Sequence, residues 1–222
     1  MLKKGKSIMK DIAIYGAGGL GREIATLINR INTIESQWNL IGFFDDGKEK
    51  GSKVSHFGPV LGGMEDLNNW ERPLDIAIAI GAPKTLKTVR ERICNPIISF
   101  PNVISPWMSY ADKQSFSIGE GNIIQGTCWA STDVTIGNFN IFNSEMILGH
   151  DVKVGNFNVF MPDIHISGEV VIGESNLFGV GSIILQQIKI GHNVVVSPGS
   201  VLLTKPKDGC TYIGNPAKIF RI

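Results

Sequence analysis

The stretches Ile-Gly-Asn-Phe-Asn-Ile-Phe at 136–142, Val-Gly-Asn-Phe-Asn-Val-Phe at 154–160 and Ile-Gly-Glu-Ser-Asn-Leu-Phe at 172–178 repeat one pattern every 18 residues. Within each stretch an apolar residue returns after six positions. Stepping by six along the chain meets an apolar residue fifteen times in succession, at Ile118, Ile124, Ala130, Ile136, Phe142, Leu148, Val154, Phe160, Ile166, Ile172, Phe178, Ile184, Ile190, Val196 and Leu202. Because six is neither a helical nor an alternating period, it predicts flat faces joined by turns.

The period of 18 residues predicts that three hexapeptides form one coil. Residues 18 positions apart then lie in neighbouring coils, one strand spacing from each other. Five coils therefore give a prism roughly 24 Å long. We expect Phe142, Phe160 and Phe178 to stack inside the middle face. The asparagines at 122, 140, 158 and 176 recur in step and should form a ladder. Phe139 and Phe157 fall outside the apolar column, so we expect them to face outward.

The first 98 residues follow a different sequence pattern, in which strand-like and helix-like runs alternate. Strands are expected over 12–15, 40–44 and 75–80, and helices over 23–34 and 84–93. This alternation is typical of a small α/β domain with a parallel sheet. Prolines between Pro96 and Pro106 interrupt both patterns. We therefore predict two domains, a Rossmann-like domain over 1–98 and an all-β coil over 99–222.

The overall composition narrows the range of partners. The formal net charge is +1, and no run of Lys or Arg offers the basic face that nucleic acid requires. No stretch of 18 apolar residues suggests a membrane span, and no segment resembles a secretory leader, so we expect a cytoplasmic protein without a membrane partner. The three cysteines, Cys94, Cys128 and Cys210, are far apart and are expected to be reduced thiols.

A glycine cluster follows the first predicted strand and opens the first helix, as Gly16-Ala-Gly-Gly-Leu-Gly21. Backbone amides and a helix N-terminus at such a turn can bind phosphate. Asp45 and Asp46 end the second strand, where an acidic residue would meet a ribose hydroxyl. A domain this small offers half of a dinucleotide fold, so a single nucleotide fits better than NAD. A glycine turn without a ligand remains the alternative.

One of the four histidines stands out, because His150 is followed at once by Asp151 at a corner of the coil. A carboxylate that hydrogen-bonds the ring fixes its tautomer and raises its basicity, as a general base requires. A solvated surface histidine is the alternative. His192 lies on a different face from His150, and no set of histidines has the spacing of a zinc site, so we expect no metal.

Four segments together resemble a family of hexapeptide-repeat sugar acetyltransferases, which includes sialic acid O-acetyltransferases of the NeuD type and UDP-amino-sugar N-acetyltransferases of the PglD type. They are Tyr15-Gly-Ala-Gly-Gly19, Gly42-Phe-Phe-Asp-Asp46, His150-Asp151 and Gly214-Asn-Pro-Ala-Lys218. The resemblance extends from about Lys10 to the end of the chain. It implies that the coil is a left-handed parallel β-helix, a handedness that periodicity does not supply.

The resemblance also implies the roles of individual residues. His150 would be the general base, Asp151 would orient it, and Gly168 would offer its N–H to the thioester oxygen. The nucleotide-sugar site would contain Gly16, Gly18, Gly19, Asp45 and Asp46, and the acetyl-CoA groove would contain Gly168, Val180, Gly199, Gly214, Pro216 and Lys218. Leu20 and Val159 stand where the family often has histidines that face the acceptor.

The leading hypothesis is therefore direct transfer of an acetyl group from acetyl-CoA to an amino or hydroxyl group of a sugar, in particular a nucleotide-linked one. The runner-up is a sugar-nucleotide-binding or scaffold protein without turnover, and an NAD oxidoreductase is a distant third. The family further implies a homotrimer. In agreement, only nine charged side chains occur between Ile118 and Leu202, and charge depletion on flat faces is typical of an interface.

Overall fold

A computed structural model describes residues 9–220 of the chain. The described residues form two compact units. The first, here called the α/β unit, runs to Ile80 and includes Arg90–Pro101; the second, the coil unit, comprises Gly81–Val89 and the residues from Asn102 onward. None of the helices within 9–220 is long and apolar enough to cross a membrane.

The α/β unit is built on one sheet. Its strands are β1 (Lys10–Tyr15), β2 (Trp38–Phe44), β3 (Lys53–Val54), β4 (Gly58–Gly62), β5 (Leu74–Ile78) and β6 (Ile98–Ser99), in the order β3-β4-β2-β1-β5-β6. All neighbours pair in parallel except β3 and β4. β1 has β2 on one side and β5 on the other. The order of the strands therefore reverses beside β1, which creates a crevice at its carboxyl end.

The α/β unit contains the helices α1 (Gly19–Ile34) and α2 (Met64–Asn68), whereas most of α3 (Pro83–Arg92) belongs to the coil unit. α1 buries Ile24, Leu27, Ile28 and Ile31, an apolar stripe with the spacing of one helix face. It begins four residues earlier than expected, because the glycine turn itself provides its first turn. The third expected strand ends at Ile78 and not at Ile80.

The coil unit is a left-handed parallel β-helix of the hexapeptide-repeat type, with three flat faces. The first face contains β9 (Ser117–Ile118), β12 (Thr135–Ile136), β15 (Lys153–Val154), β18 (Val171–Ile172) and β21 (Lys189–Ile190). The middle face contains β7 (Val103–Ile104), β10 (Ile123–Ile124), β13 (Ile141–Phe142), β16 (Val159–Phe160), β19 (Leu177–Phe178), β22 (Val195–Val196), β24 (Thr211–Ile213) and β25 (Lys218–Phe220). The third face contains β8 (Ser109–Tyr110), β11 (Cys128–Ala130), β14 (Met146–Leu148), β17 (His165–Ile166), β20 (Ile183–Ile184) and β23 (Val201–Leu202).

The coil is longer than the predicted five turns from Ile118 to Leu202. Ile136 pairs with Ile118 at the regular spacing of the repeat. Ile124 pairs with Ile104 and Ala130 with Tyr110, in each case two positions further back than the repeat requires. The connection from Tyr110 to Ile118 therefore carries two additional residues. This insertion breaks the period of six, which is why the sequence pattern missed the first strands of the coil.

The interior of the coil follows the predicted register. Phe142, Phe160 and Phe178 are at most 1% exposed, and their rings stack at centroid distances of 4.6 and 4.7 Å. The asparagine ladder is fully buried. The Asn158 side-chain amide, for example, donates to Asn140 Oδ1 at 3.0 Å and to the Gly173 carbonyl at 2.9 Å. Each rung thus satisfies its buried polar groups through its neighbours.

Phe139 lies outside the buried column of the coil, as the register predicts, but it is not exposed. Its side chain is 5% exposed and stacks on Phe157 at 5.5 Å. The Lys87 ammonium lies 5.8 Å from the Phe157 ring centroid, and Lys87 also approaches Glu174 at 3.8 Å. Residues 81–89, which lie outside the repeat, thus contact this corner of the coil. The Phe139–Phe157 pair is consequently a packing element within one chain.

Two buried serines of the coil, Ser182 and Ser200, provide a matched test of buried polar groups. Both are fully buried, but Ser200 Oγ accepts a hydrogen bond from the Gly214 amide at 3.0 Å, whereas Ser182 Oγ has no partner within residues 9–220. We expect Ser182→Ala to raise the free energy of unfolding by about 1 kcal/mol and Ser200→Ala to lower it by about 1 kcal/mol. Urea unfolding at equal protein concentration measures both. Destabilisation by Ser182→Ala would contradict this assignment.

Candidate active site

The corner that follows β14 carries the predicted base. The chain leaves the third face through Gly149, and Asp151 adopts a positive φ of 58°, as do Asp133 and Glu169 at the same position of the neighbouring coils. His150 Nδ1 lies 2.9 Å from Asp151 Oδ2, and each side chain is 57% exposed. When Nδ1 donates to the carboxylate, Nε2 of the neutral ring is the free acceptor. The pair is thus arranged to take a proton at Nε2.

Gly168 lies directly beneath this ring, one coil further along. A Cβ atom on Gly168 would collide with His150 Nε2 and come within 2.7 Å of Cε1. The Glu169 amide donates to the His150 carbonyl at 2.8 Å, which ties the two corners together. The Gly168 amide donates to no group within 9–220. Glycine at this position therefore leaves both the ring and a free N–H in place.

A methyl group at Gly168 offers a test of this packing. We expect Gly168→Ala to displace the His150 ring and lower turnover by about 10²-fold, the scale on which catalytic groups respond to a misplacement of about 1 Å. Gln186→Ala is the matched control, because Gln186 holds the same corner position one coil further on. The measurements are steady-state turnover and the thermal midpoint. An unchanged rate for Gly168→Ala would show that this contact has no catalytic consequence.

Most of the residues predicted to bind acetyl-CoA lie at the edge of the third face opposite to the edge with His150 and Gly168. Val180 and Gly199 occupy the corner between the middle and third faces, where the Gly199 amide donates to the Val180 carbonyl at 2.8 Å. Gly214 follows β24, and its carbonyl accepts from the Val201 amide at 3.0 Å. Pro216 and Lys218 follow in the turn and in β25, both exposed. Val180, Gly199 and Gly214 thus form one continuous strip, which β20 separates from the Gly168 corner.

The glycine turn in the α/β unit contains two kinds of glycine. Gly16 has a φ of 110°, and a Cβ there would lie 2.7 Å from the Ala79 carbonyl oxygen; a Cβ on Gly21 would overlap the Gly16 carbonyl. Close packing therefore requires glycine at positions 16 and 21, whether or not a ligand binds. At Gly18 and Gly19, in contrast, no atom lies within 4 Å of the place that a Cβ would take. They leave open space at the start of α1, whose first turn contains no acidic residue.

The side chains of Asp45 and Asp46, beside the glycine turn, form hydrogen bonds that stabilise the α/β unit. Asp45 Oδ2 accepts from the Ala17 amide at 2.8 Å, which holds the glycine turn. Asp46 accepts from the Met64 amide at 2.7 Å and from the Tyr15 hydroxyl at 2.8 Å. The Met64 bond is the main reason that the pKa of Asp46 lies below its usual value, and burial raises the pKa of Tyr15. Sequence reasoning missed these partners of Asp46, which are distant along the chain.

The two positions where histidine was expected from the family differ in exposure. Leu20 is half-buried in the first turn of α1. Val159 is 1% exposed and lies on the middle face, so its side chain has no free surface for a ligand. Within residues 9–220, no three His, Cys, Asp or Glu side chains are grouped to hold a metal ion.

Comparison with known proteins adds to this geometry. Residues 11–93 match the family model of the PglD N-terminal domain. The acetyltransferase domain of PglB from Neisseria gonorrhoeae, solved with acetyl coenzyme A, is 27% identical and superposes with a TM-score of 0.84 over 96% of this chain and 100% of that one. WeeI from Acinetobacter baumannii is 25% identical, with a TM-score of 0.78 over 96% of this chain and 100% of its own.

A third structure, PerB from Caulobacter crescentus in complex with CoA and GDP-perosamine, shares the fold at 23% identity, with a TM-score of 0.80 over 97% of this chain and 99% of that one. No curated protein matches the sequence significantly. The matches span both units of the chain in the same order. The chain thus carries a PglD N-terminal domain ahead of a hexapeptide-repeat β-helix, and it is similar over nearly its whole length to the acetyltransferase domain of PglB.

Proposed function

We propose that the protein transfers the acetyl group of acetyl-CoA to a sugar, and more narrowly to the amino group of a nucleotide-linked amino sugar such as a UDP-amino sugar. The observation that carries this proposal is the His150–Asp151 pair above Gly168. The PglB acetyltransferase domain, which binds acetyl coenzyme A and matches over nearly the whole chain, supports the choice of donor. PerB, which shares the fold, binds GDP-perosamine, an example of the nucleotide-linked class of acceptor proposed here.

In the proposed mechanism the acceptor attacks the thioester carbonyl directly. His150 Nε2 takes a proton from the attacking amine as the new bond to carbon forms. The free N–H of Gly168 donates to the oxygen on which negative charge develops. The C–S bond then breaks, and the imidazolium returns the proton to the CoA thiolate. Asp151 keeps the ring in its tautomer throughout, and the enzyme itself is not acetylated.

The binding roles follow the two groups of residues described above. We assign the acetyl-CoA groove to Gly168 and to the strip of Val180, Gly199 and Gly214, continued by Pro216 and Lys218. The Lys218 ammonium would meet the phosphates of CoA. We assign the nucleotide of the acceptor to the start of α1, where the open positions Gly18 and Gly19 lie beside Gly16 and Leu20, and where a helix N-terminus favours phosphate. Asp45 and Asp46 shape this site.

A homotrimer with active sites shared between copies is part of the proposal. The low charge of the repeat supports an interface on the coil, whereas Phe139 and Phe157, which stack on each other, lend it no support. The separation of the Gly168 corner from the strip of Val180 and Gly199 within one chain also favours sites that two copies complete.

The test is release of the CoA thiol from acetyl-CoA in the presence of UDP- and GDP-linked amino sugars, with sialic acid and the corresponding N-acetylated sugars as comparison acceptors. We expect turnover with at least one amino sugar and none with its acetylated form. Preference for a hydroxyl acceptor would overturn the narrower assignment. Tight binding of a nucleotide sugar without thiol release from any acceptor would overturn the enzymatic proposal and favour a binding protein.

A further inference from the structure

The guanidinium of Arg92, the last residue of α3, lies beside the carboxyl end of β2. Its Nη1 atom is 3.6 Å from Asp46 Oδ2, and the two side chains are 54% and 48% exposed. This ion pair is longer than a hydrogen bond, and within residues 9–220 the guanidinium donates no other hydrogen bond. The N–H groups of Arg92 are therefore available to a ligand.

The backbone that carries Arg92 is held in place by hydrogen bonds. The Asn68 side chain donates to the Arg92 carbonyl at 3.0 Å and accepts from the Cys94 amide at 2.9 Å. The Asn95 side chain donates to the Trp70 carbonyl at 2.8 Å. These bonds fasten the end of α3 to α2 and to the residues that follow α2. The guanidinium thus projects from a fixed point within the α/β unit.

Asp46 is held as firmly as Arg92. Its Oδ1 atom accepts from the Met64 amide at 2.7 Å, and its Oδ2 atom accepts from the Tyr15 hydroxyl at 2.8 Å. A Cβ on Gly63 would lie 2.6 Å from Asp46 Oδ1, so glycine at this position allows the carboxylate to approach the chain. Each carboxylate oxygen has two lone pairs, so Asp46 can accept a further hydrogen bond. Arg92 and Asp46 therefore offer a donor and an acceptor side by side.

The order of the strands places this pair next to the positions proposed for phosphate and ribose. The glycine turn follows β1, and Asp45, after β2, accepts from the Ala17 amide in that turn. Asp46 accepts from the first residue of α2, which follows β4, and β2 lies between β1 and β4. In doubly wound sheets the phosphates lie at the turn after the first strand and the ribose at the end of the second. The base of a nucleotide then falls beyond the ribose, toward β4 and the Asp46–Arg92 pair.

We infer that Arg92 and Asp46 select the base of the acceptor nucleotide by binding the imide edge of uracil. The guanidinium donates to the oxygen at position 4 of the ring, and the Asp46 carboxylate accepts from the N–H at position 3. This inference rests on the proposed function, because it names the base of the acceptor in that reaction. It identifies Arg92 as a specificity-determining residue.

Cytosine is the base against which this pair would discriminate. It has nearly the shape of uracil, but it carries an amino group at position 4 and no proton at position 3. In the same pose the guanidinium would face a donor and the carboxylate would face an acceptor. Polar groups that are left without partners in this way weaken binding more than the loss of an apolar contact does.

Isothermal titration calorimetry of the full chain with UDP and CDP tests the inference, because the two probes differ only at this edge of the base. We expect the wild type to bind UDP at least about tenfold more tightly than CDP, the scale of one hydrogen bond to a charged group. Arg92→Gln should raise the Kd of UDP by about tenfold and leave the Kd of CDP nearly unchanged. The comparison of the two probes on the wild type needs no variant.

Arg72→Gln is the matched control for the variant. It removes the same charge from another exposed arginine of the α/β unit, whose guanidinium lies 5.6 Å from the Trp70 ring centroid. The Kd of both probes should remain that of the wild type. The thermal midpoints of the two variants verify that each is folded at the temperature of the titration.

Three results would overturn the inference. They are equal binding of UDP and CDP by the wild type, absence of UDP binding, and an equal loss of affinity for both probes in Arg92→Gln, which would assign Arg92 to the diphosphate. Turnover of an amino sugar alongside any of them would leave the proposed function in place. Preference for UDP through Arg92, without thiol release from any amino sugar, would overturn the proposed enzymatic function and leave the base selection in place.

Discussion

Replacement of His150 by alanine is expected to lower turnover by a factor of about 10² to 10⁴, the usual contribution of a positioned general base. The side chain is 57% exposed and packs in no core, so the thermal midpoint should remain that of the wild type. Thiol release at saturating acetyl-CoA and acceptor measures the effect on kcat.

His56 provides the control for this substitution, because it is an exposed histidine of the α/β unit without a role in the proposed site. His56→Ala should retain full turnover. A similar loss in both variants would indicate a general effect of histidine removal, and near wild-type turnover of His150→Ala would remove His150 from the mechanism. Asp151→Asn should lose part of the rate, since the amide no longer holds the ring as a carboxylate does.

The second large effect concerns the phenylalanine stack. Phe160→Ala should lower the free energy of unfolding by about 3–5 kcal/mol, because the cavity that it leaves lies between Phe142 and Phe178 in a rigid interior. Both neighbouring rings lose the stacking partner that lies 4.6 Å from one and 4.7 Å from the other. Equilibrium unfolding in urea, at one protein concentration for all variants, measures the difference.

Phe157→Ala is the comparison for that experiment. Phe157 contacts Phe139 and Lys87 but lies outside the central column, and its side chain is only half-buried. Its removal should therefore cost less than that of Phe160. Equal losses would show that the corner packing contributes as much as the column, contrary to the register of the coil.

The repeat allowed the interior of the coil to be predicted residue by residue. The period of six fixes which side chains point inward, and the longer period fixes which of them stack. The same rule could not predict the burial of Phe139 and Val159, because it does not describe how side chains outside the apolar column pack. It also failed at the start of the coil, where the additional residues before Ile118 disrupt the count.

The candidate site was predictable where its parts are close in sequence. His150 and Asp151 are adjacent, whereas Gly168, which occupies the same corner position one coil later, was assigned from the family resemblance. The hydrogen bond from Tyr15 to Asp46 spans 31 residues and depends on the pairing of β1 with β2, so no local pattern reveals it.

The stacked strands of the coil set a fixed distance along the proposed acetyl-CoA site. Three spacings separate β14, which precedes His150, from β23, beside which Gly214 is held, and this corresponds to roughly 14 Å. The buried asparagines and phenylalanines fix each spacing, so the distance can change only by whole rungs. Removal of one complete coil between β14 and β23 would shorten this distance by one strand spacing and leave the corners of the remaining coils intact. If acetyl-CoA binds as proposed, a whole number of strand spacings would set the distance that its pantetheine arm spans between the acetyl group and the CoA phosphates.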